Sequence, residues 1–593
     1  MHRLGDLISN QKSPKSPSSP ATNYENEKNR KYDRQLRIWG DSGQYLIEGS
    51  SVCLINANAT GTEILKNLVL AGIGSFTIID GSKVSTEDDN NFFCDTSSRL
   101  GKSRASVACQ MLLELNPDVS GDYIEESVET LIESNPSLFK NFTTVVAANV
   151  HNEKTLSKLS EITWNYNIPL ILTYSIGFVG LIRVQVREHP VIEAHPDNSL
   201  EDLRLDRPFK ELTEYFESFK SFEDYSRSEV SQIPFVVIIY KFLKIWQSTN
   251  GKSPTCLPSS FKEKEEIRKL IRESMKKIKT SVKNKIINEE ESAENAIESE
   301  IELENFEEAI KSVNTVLISS NKIPSDTYDI LNDPVIENLM ESKIENSSFW
   351  LLVKALKVFL SQKSDGCLPV RGSLPDMTAD TTNYVKLQQI YQTKAREDVE
   401  TLYSCLTSVC NSLGKSMDSI SEEQVKTFCR NLHCLKIIRT SPIWPEFNSN
   451  PGDDDKSSVK ISSKLRELIN CADFDGDESD DLIFYLMFRS ISRFYTLYNR
   501  YPGYCDDLVE SDISTLKSCL KEIINDLGCN NLSKDDFVHE MSRYGGAELH
   551  SISAFIGGCA AQETVKFITK QFIPLNSILI YNSMSSKTST YQW

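Results

Sequence analysis

The chain has 593 residues, enough at roughly 150 residues per domain for several units with cores of their own, so one small domain is excluded. Lys and Arg number 65 against 84 Asp and Glu; the formal charge of −19 repels phosphate backbones and anionic lipid and excludes nucleic acid as the main partner. Hydrophobic residues make up 39% and charged residues 25%, the balance of a soluble globular chain.

The greasiest short piece, residues 234–240, is far below the roughly 18 apolar residues that a membrane span needs. The 14 cysteines form no dense framework and the first residues lack the apolar stretch of a secretory signal. Reduced thiols in cytoplasm or nucleus are the expectation.

Residues 11–22, QKSPKSPSSPAT, carry Pro14, Pro17 and Pro20 among Ser and Lys, and residues 1–24 read as a mobile tail. Its Ser-Pro steps at Ser13, Ser16 and Ser19 suit either phosphorylation or a plain linker. From Ser51 the pattern changes to β-branched runs alternating with amphipathic segments: SVCLIN, SFTIID, TTVVAA and PLILTYS separated by helical stretches. That βαβ rhythm predicts a mostly parallel sheet with helices on both faces, and residues 180–188 read as one more strand.

Between 190 and 480 the periodicity is mainly helical. Residues 268–285 hold eight Lys or Arg and one Glu, whereas 289–308 hold ten Glu and no Lys or Arg. Such complementary blocks would suit a helix pair, but the commoner meaning of a charge run is a solvated helix face, which is the preferred reading. A polar loop at 448–458, NSNPGDDDKSS, marks a boundary nearby. Long apolar-periodic helices return at 481–499 and 547–569, followed by NSILIYN and a Ser/Thr-rich edge strand.

A strand that late needs a sheet to join, and the good sheet begins some five hundred residues earlier. The expected architecture is therefore α/β: a doubly wound Rossmann-like domain formed by residues 25–190 and 481–593, split by a large helical insertion at 191–480.

After its first strand, a nucleotide-binding domain of this kind carries GxGxxG, whose glycines permit the turn, the approach of phosphate and close helix packing. Here the residues are Asn56, Ala57, Asn58, Ala59, Thr60 and Gly61, so only the third glycine survives. Asn56 can still adopt the positive φ of the turn, but Asn58 places a side chain where phosphate would lie against bare backbone. Asp80 stands where a ribose-binding carboxylate would sit, and also where a strand-end Asp caps a turn before Gly81. With the glycines gone, the turn cap is the preferred reading.

These residues resemble the ubiquitin-activating enzyme superfamily, whose adenylation domains read GxGGxGxE; residues 56–63, NANATGTE, match at Gly61 and Glu63. Residues 31–40, KYDRQLRIWG, are similar to the opening helix of the family's non-catalytic halves, and residues 545–569 to the helix that closes the fold. Residues 368–395, LPVRGSLPDMTADTTNYVKLQQIYQTKA, resemble a segment of the regulatory subunits of neddylation-activating enzymes, the amyloid precursor protein-binding protein type.

Against the family's catalytic pattern, Ser82 replaces the second Asp of an acidic pair, and Asn90 and Asn91 precede Phe92 without the family's Arg. Arg104 replaces the Lys of GxxKA, and no Asp follows the TTVVAA strand. The resemblance thus implies a pseudo-adenylation domain that binds no cofactor, with Gly61 and Asp80 as remnants of the site and no metal. ATP and Mg would sit at a catalytic partner subunit.

What the resemblance leaves to this chain is dimer surface, a helical insertion lining a groove for the ubiquitin-like modifier, and Arg34 in trans. On the first helix Arg34 would reach the partner's ATP site and stabilise phosphate charge as the modifier's carboxylate attacks. Alternatively Arg34 and Arg37, with Asp33 beside them, simply keep an exposed helix soluble. By the same resemblance the partners are the catalytic subunit and the neddylation modifier, then indirectly a conjugating enzyme and cullins. The compartment is cytoplasm and nucleus.

Of the cysteines, Cys256 and Cys367 lie beside prolines but outside the family's catalytic Cys-Thr frame, and read as passive thiols. Cys405, Cys410, Cys429 and Cys434, with His433, form two CxxxxC pairs in helical sequence, where residues five apart face different ways and zinc is disfavoured. His550 reads as packing inside the closing helix. Rival functions are a sumoylation-type activating subunit, an NAD-dependent Rossmann oxidoreductase, which the lost glycines oppose, and a pure scaffold.

Overall fold

The computed structural model describes residues 21–196, 202–288, 303–339, 347–362, 364, 366–418, 420–447, 456–472, 480–529 and 535–593. Of the expected tail at 1–24, residues 1–20 lie outside these residues, whereas 21–24 are helical and begin the first helix; most of the acidic block (289–302) and the core of the 448–458 loop also lie outside. The chain forms two compact units, one built from residues 1–188 and 438–593 and the other from 189–437.

Among the described residues the strands are β1 (Ser51–Ile55), β2 (Ser75–Ile79), β3 (Ser120–Ile124), β4 (Thr144–Ala148), β5 (Leu170–Ile176), β6 (Val179–Gln185), β7 (His189–Val191), β8 (Lys436–Ile438), β9 (Ile578–Asn582) and β10 (Lys587–Tyr591). Eight of them make one sheet in the order β10-β9-β6-β5-β4-β1-β2-β3. The five strands from β5 to β3 run parallel, and β6, β9 and β10 continue the sheet antiparallel. β4, β5 and β6 are buried along their whole length, so they read as mainly apolar runs rather than alternating ones, and the polar residues within them, such as Arg183 and Gln185, are buried too.

The first unit adds helices α1 (Ala21–Glu48), α2 (Ala59–Ala71), α3 (Arg104–Leu113), α4 (Glu153–Asn165), α5 (Leu482–Tyr498), α6 (Asp506–Leu527) and α7 (His550–Thr569). Alternate residues of β1 serve opposite faces of the sheet. Cys53 and Ile55 pack with Leu156 and Leu159 of α4, whereas the Leu54 side chain lies against Gly61 of α2. At the antiparallel end, Leu181 and Ile580 share a core with Leu486, Phe488 and Leu516 from α5 and α6. Each such buried aliphatic side chain contributes about 1.5–3 kcal/mol relative to exposure.

The insertion ends at residue 437, not at 480. Residues 438–447 belong to the first unit because Glu446 is committed there: Arg183 Nη2 pairs with its Oε1 at 2.8 Å, and Tyr485 Oη and Trp593 Nε1 donate to its carboxylate at 2.7 and 3.1 Å. Farther along, Leu465 and Ile469 enter the same core as α5 and α6. The polar loop at 448–458 therefore follows the crossing back into this unit.

Among the described residues, the second unit is helical apart from the short β7–β8 pair. Phe235–Thr249, Phe261–Asn288 and Glu304–Val316 share one core containing Trp246, Ile271, Phe306 and Val313. Ser347–Gln362, Thr381–Leu413 and Glu422–Asn431 share another, around Trp350, Leu402 and Phe428. The greasy 234–240 stretch is the buried start of the first of these helices.

In the sheet, β1 lies between β4 and β2, so the order of connections reverses there and opens a crevice beyond the carboxyl ends of β1 and β4.

Candidate functional site

That crevice is lined by the residues that follow β1, β2 and β4. Asn56 takes φ +67°, the left-handed turn that its sequence position predicts, and its Nδ2 donates to Ala148 O at 3.0 Å. Asn58 is the N-cap of α2, its Oδ1 accepting from Gly61 N at 2.9 Å. Gly61 is needed for close packing: a Cβ there would stand 2.4 Å from Asn56 O.

Asp80, 2% exposed, is fully used within the chain. Its Oδ1 accepts from Ser82 N at 2.8 Å, the expected turn cap, and its Oδ2 accepts from Ala57 N at 2.8 Å and Arg104 Nε at 2.7 Å. Arg104 Nη1 also donates to Asp88 Oδ1 at 3.1 Å. Burial acts to raise the Asp80 carboxyl, but the Arg104 guanidinium and the two N–H donors outweigh it and hold the group below the usual carboxylate range.

Sequence reasoning missed Glu548, just before α7. Its carboxylate accepts from Asn58 Nδ2, Asn149 Nδ2 and Thr60 N, the last at 3.0 Å, while Asn90 Nδ2 donates to its carbonyl. Asn149 follows β4 with φ +48°. Burial pushes the Glu548 carboxyl up to about 7, against the Thr60 N–H, the Arg104 charge and the Asn149 bond.

No local period links residue 548 to residue 58; the cue was the asparagines at positions where the family pattern has other residues. These groups do not fit a nucleotide. The first turn of α2, where a phosphate would dock, already holds a carboxylate, and the Asn58 side chain stands in the approach.

His550 is corrected from packing: it opens α7 with its side chain 52% exposed, and its Nδ1 lies 3.2 Å from Asn90 O.

The ThiF family matches residues 32–592 of this chain. The NEDD8-activating enzyme E1 regulatory subunit of Gallus gallus is 45% identical over 563 residues, covering 95% of this chain and 98% of the relative. The chain belongs to the NEDD8-activating enzyme E1 regulatory subunit family. Relatives of the same name from Xenopus laevis and Drosophila melanogaster are 43% and 40% identical, each over 95% of this chain and 98% and 97% of their own lengths. Nothing in the fold or in these relatives favours the sumoylation-type, oxidoreductase or scaffold readings.

In this member of the regulatory subunit family α1 breaks at Gly40, φ +66°. Its first part is fastened by Lys31 Nζ to Asp118 Oδ2 at 2.8 Å, by Asn116 Nδ2 to Tyr32 Oη at 3.0 Å, and by Gln571 Nε2 to the Trp39 carbonyl at 3.0 Å. Asp33 pairs with Arg37 at 2.9 Å. Arg34 is exposed and has no hydrogen bond or ion pair with any described residue.

Cys367 is buried, and burial raises its thiol; Cys256 is half-buried. Cys405, Cys410 and Cys429 lie in the apolar core around Phe428, and among the described residues no three His, Cys, Asp or Glu side chains form a ligand set. No helix among the described residues is long and apolar enough to cross a membrane.

Proposed function

We propose that this chain is the non-catalytic half of a heterodimeric enzyme that activates a ubiquitin-like modifier, the NEDD8 named in its relatives. The partner subunit binds ATP and Mg, adenylates the modifier and supplies the thioester cysteine. This chain binds no nucleotide and no metal, contributes dimer surface and a helical unit for the modifier, and lends Arg34 to the partner's site. The product passes to a conjugating enzyme and on to cullins, in cytoplasm and nucleus.

The observation that carries the reading is Arg34, an exposed guanidinium without a described partner on a helix fastened on either side of it by Tyr32 and Trp39. A charge held ready but not paired within its own chain suits phosphate oxygens brought by another subunit. During attack of the modifier's carboxylate on the α-phosphate, Arg34 would offset charge gathering on the departing pyrophosphate. The closed crevice supports assigning the nucleotide to the partner.

The test is ATP:pyrophosphate exchange by the assembled heterodimer. Arg34→Ala should leave the complex intact and slow exchange by about ten- to a thousand-fold. An unchanged rate removes Arg34 from the reaction. Exchange by the catalytic subunit alone at the full rate reduces this chain to a scaffold.

A further inference from the structure

The positions at which this chain departs from a nucleotide-binding pattern are not scattered losses. Asn58 and Asn149, at the ends of β1 and β4, aim their amides at the same oxygen of Glu548, and Asn90 holds that residue's carbonyl. Thr60 N and Thr60 Oγ1 take the other carboxylate oxygen at 3.0 and 3.3 Å. Arg104 acts on it through space while it holds Asp80 and Asp88. The residues that follow β1 and β4 and the first turn of α2 thus converge on one anion, and that anion belongs to the chain.

The first turn after such a strand is where this kind of fold docks phosphate, because the N–H groups there lack helical partners and the helix dipole is positive. We infer that Glu548 is a built-in ligand of the degenerate loop, filling the place of a phosphoryl group, and that the loop takes a small oxyanion such as inorganic phosphate only when this carboxylate is removed. Asn58 and Asn149 are the residues that convert the cradle: neutral amides donate to a carboxylate and add no charge to draw in a polyphosphate. This half is therefore ordered without nucleotide, its loop tied to the start of α7.

The inference rests on the reading that this chain takes no nucleotide. Thermal unfolding of the full-length chain in sodium phosphate, against sodium chloride at equal ionic strength, tests it on wild type, Glu548→Ala and Glu548→Gln. Wild type should unfold at the same temperature in both salts. Glu548→Ala should unfold lower in chloride and regain about 2–4 °C in phosphate. Glu548→Gln should unfold lower but show no phosphate effect, because its amide still fills the space.

A Glu548→Ala chain indifferent to phosphate, or one insoluble in both salts, overturns the built-in ligand alone. An equal phosphate gain in Glu548→Gln also overturns it. Retention of labelled ATP by the wild-type chain overturns the nucleotide-free reading along with it.

Discussion

Gly557 of α7 meets Glu63 of α2 with no space between them: a Cβ at Gly557 would stand 2.7 Å from the Glu63 Cβ and 3.3 Å from Ile64 N. Its neighbour Gly558 meets nothing within 4 Å. Gly557→Ala should cost about 1–3 kcal/mol by forcing the two helices apart. Gly558→Ala should be neutral or stabilise by up to about 1 kcal/mol through helix propensity. Urea unfolding of both variants distinguishes the two, and equal effects would show that the helices do not meet at Gly557.

Arg104 is the cation that makes Asp80 and Asp88 tolerable in the interior. Arg104→Ala should lower stability by about 3–5 kcal/mol, the usual cost of leaving buried carboxylates unpaired. Lys in its place keeps the charge but not the two-armed reach, and should recover part of the loss. Asp80 is depressed in the native chain, so its stabilisation is present above the ordinary carboxylate value and is lost as pH falls through the depressed one. In Arg104→Ala that carboxyl protonates readily, so the deficit against wild type should shrink in acid, as unfolding at neutral and acidic pH would show.

His151 is buried among Tyr174, Tyr495 and Tyr501, and burial lowers it to about 3 from the ordinary 6.5. Between those values the unfolded chain binds a proton that the native chain does not. Stability therefore rises with pH across that window and is lost as pH falls from about 6.5 toward 3, by at most about 5 kcal/mol for this group. His151→Phe should flatten the difference between urea midpoints at pH near 7 and near 5. A difference as large as in wild type would assign the acid sensitivity elsewhere.

Thiol chemistry should follow exposure. Cys471 and Cys505 are exposed and should be alkylated first at neutral pH. Cys94 and Cys429, pushed up to about 12 chiefly by burial, should react only on unfolding. In the assembled enzyme, Cys256→Ser and Cys367→Ser should leave thioester formation on the modifier unchanged; loss in either would give this chain a catalytic thiol.

Features set by neighbouring residues were legible in the sequence. The positive φ of Asn56, the close packing of Gly61 and the turn cap of Asp80 follow from residue type at a fixed distance from a strand. Features set by distant pairs were not. Glu548 carries no periodic cue toward Asn58, because the crevice is made by sheet topology rather than by spacing. The return point at 438 was hidden likewise: the stretch through Glu446 is too short and irregular for a period, and its place follows from Arg183, Tyr485 and Trp593. Gly557 and Gly558 are adjacent and identical in type, so only their surroundings tell them apart.

The pairing of β6 with β9 bears on how the protein is made. Roughly 390 residues separate the two strands, so at about 5–20 residues per second the ribosome needs about 20–80 s to supply β9 after β6 has emerged. Throughout that interval the nascent chain carries an apolar strand with a raw edge, a template for wrong partners. Holding that edge until the last residues arrive is a task for chaperones, and truncation before Ile578 should yield aggregates rather than a smaller working protein.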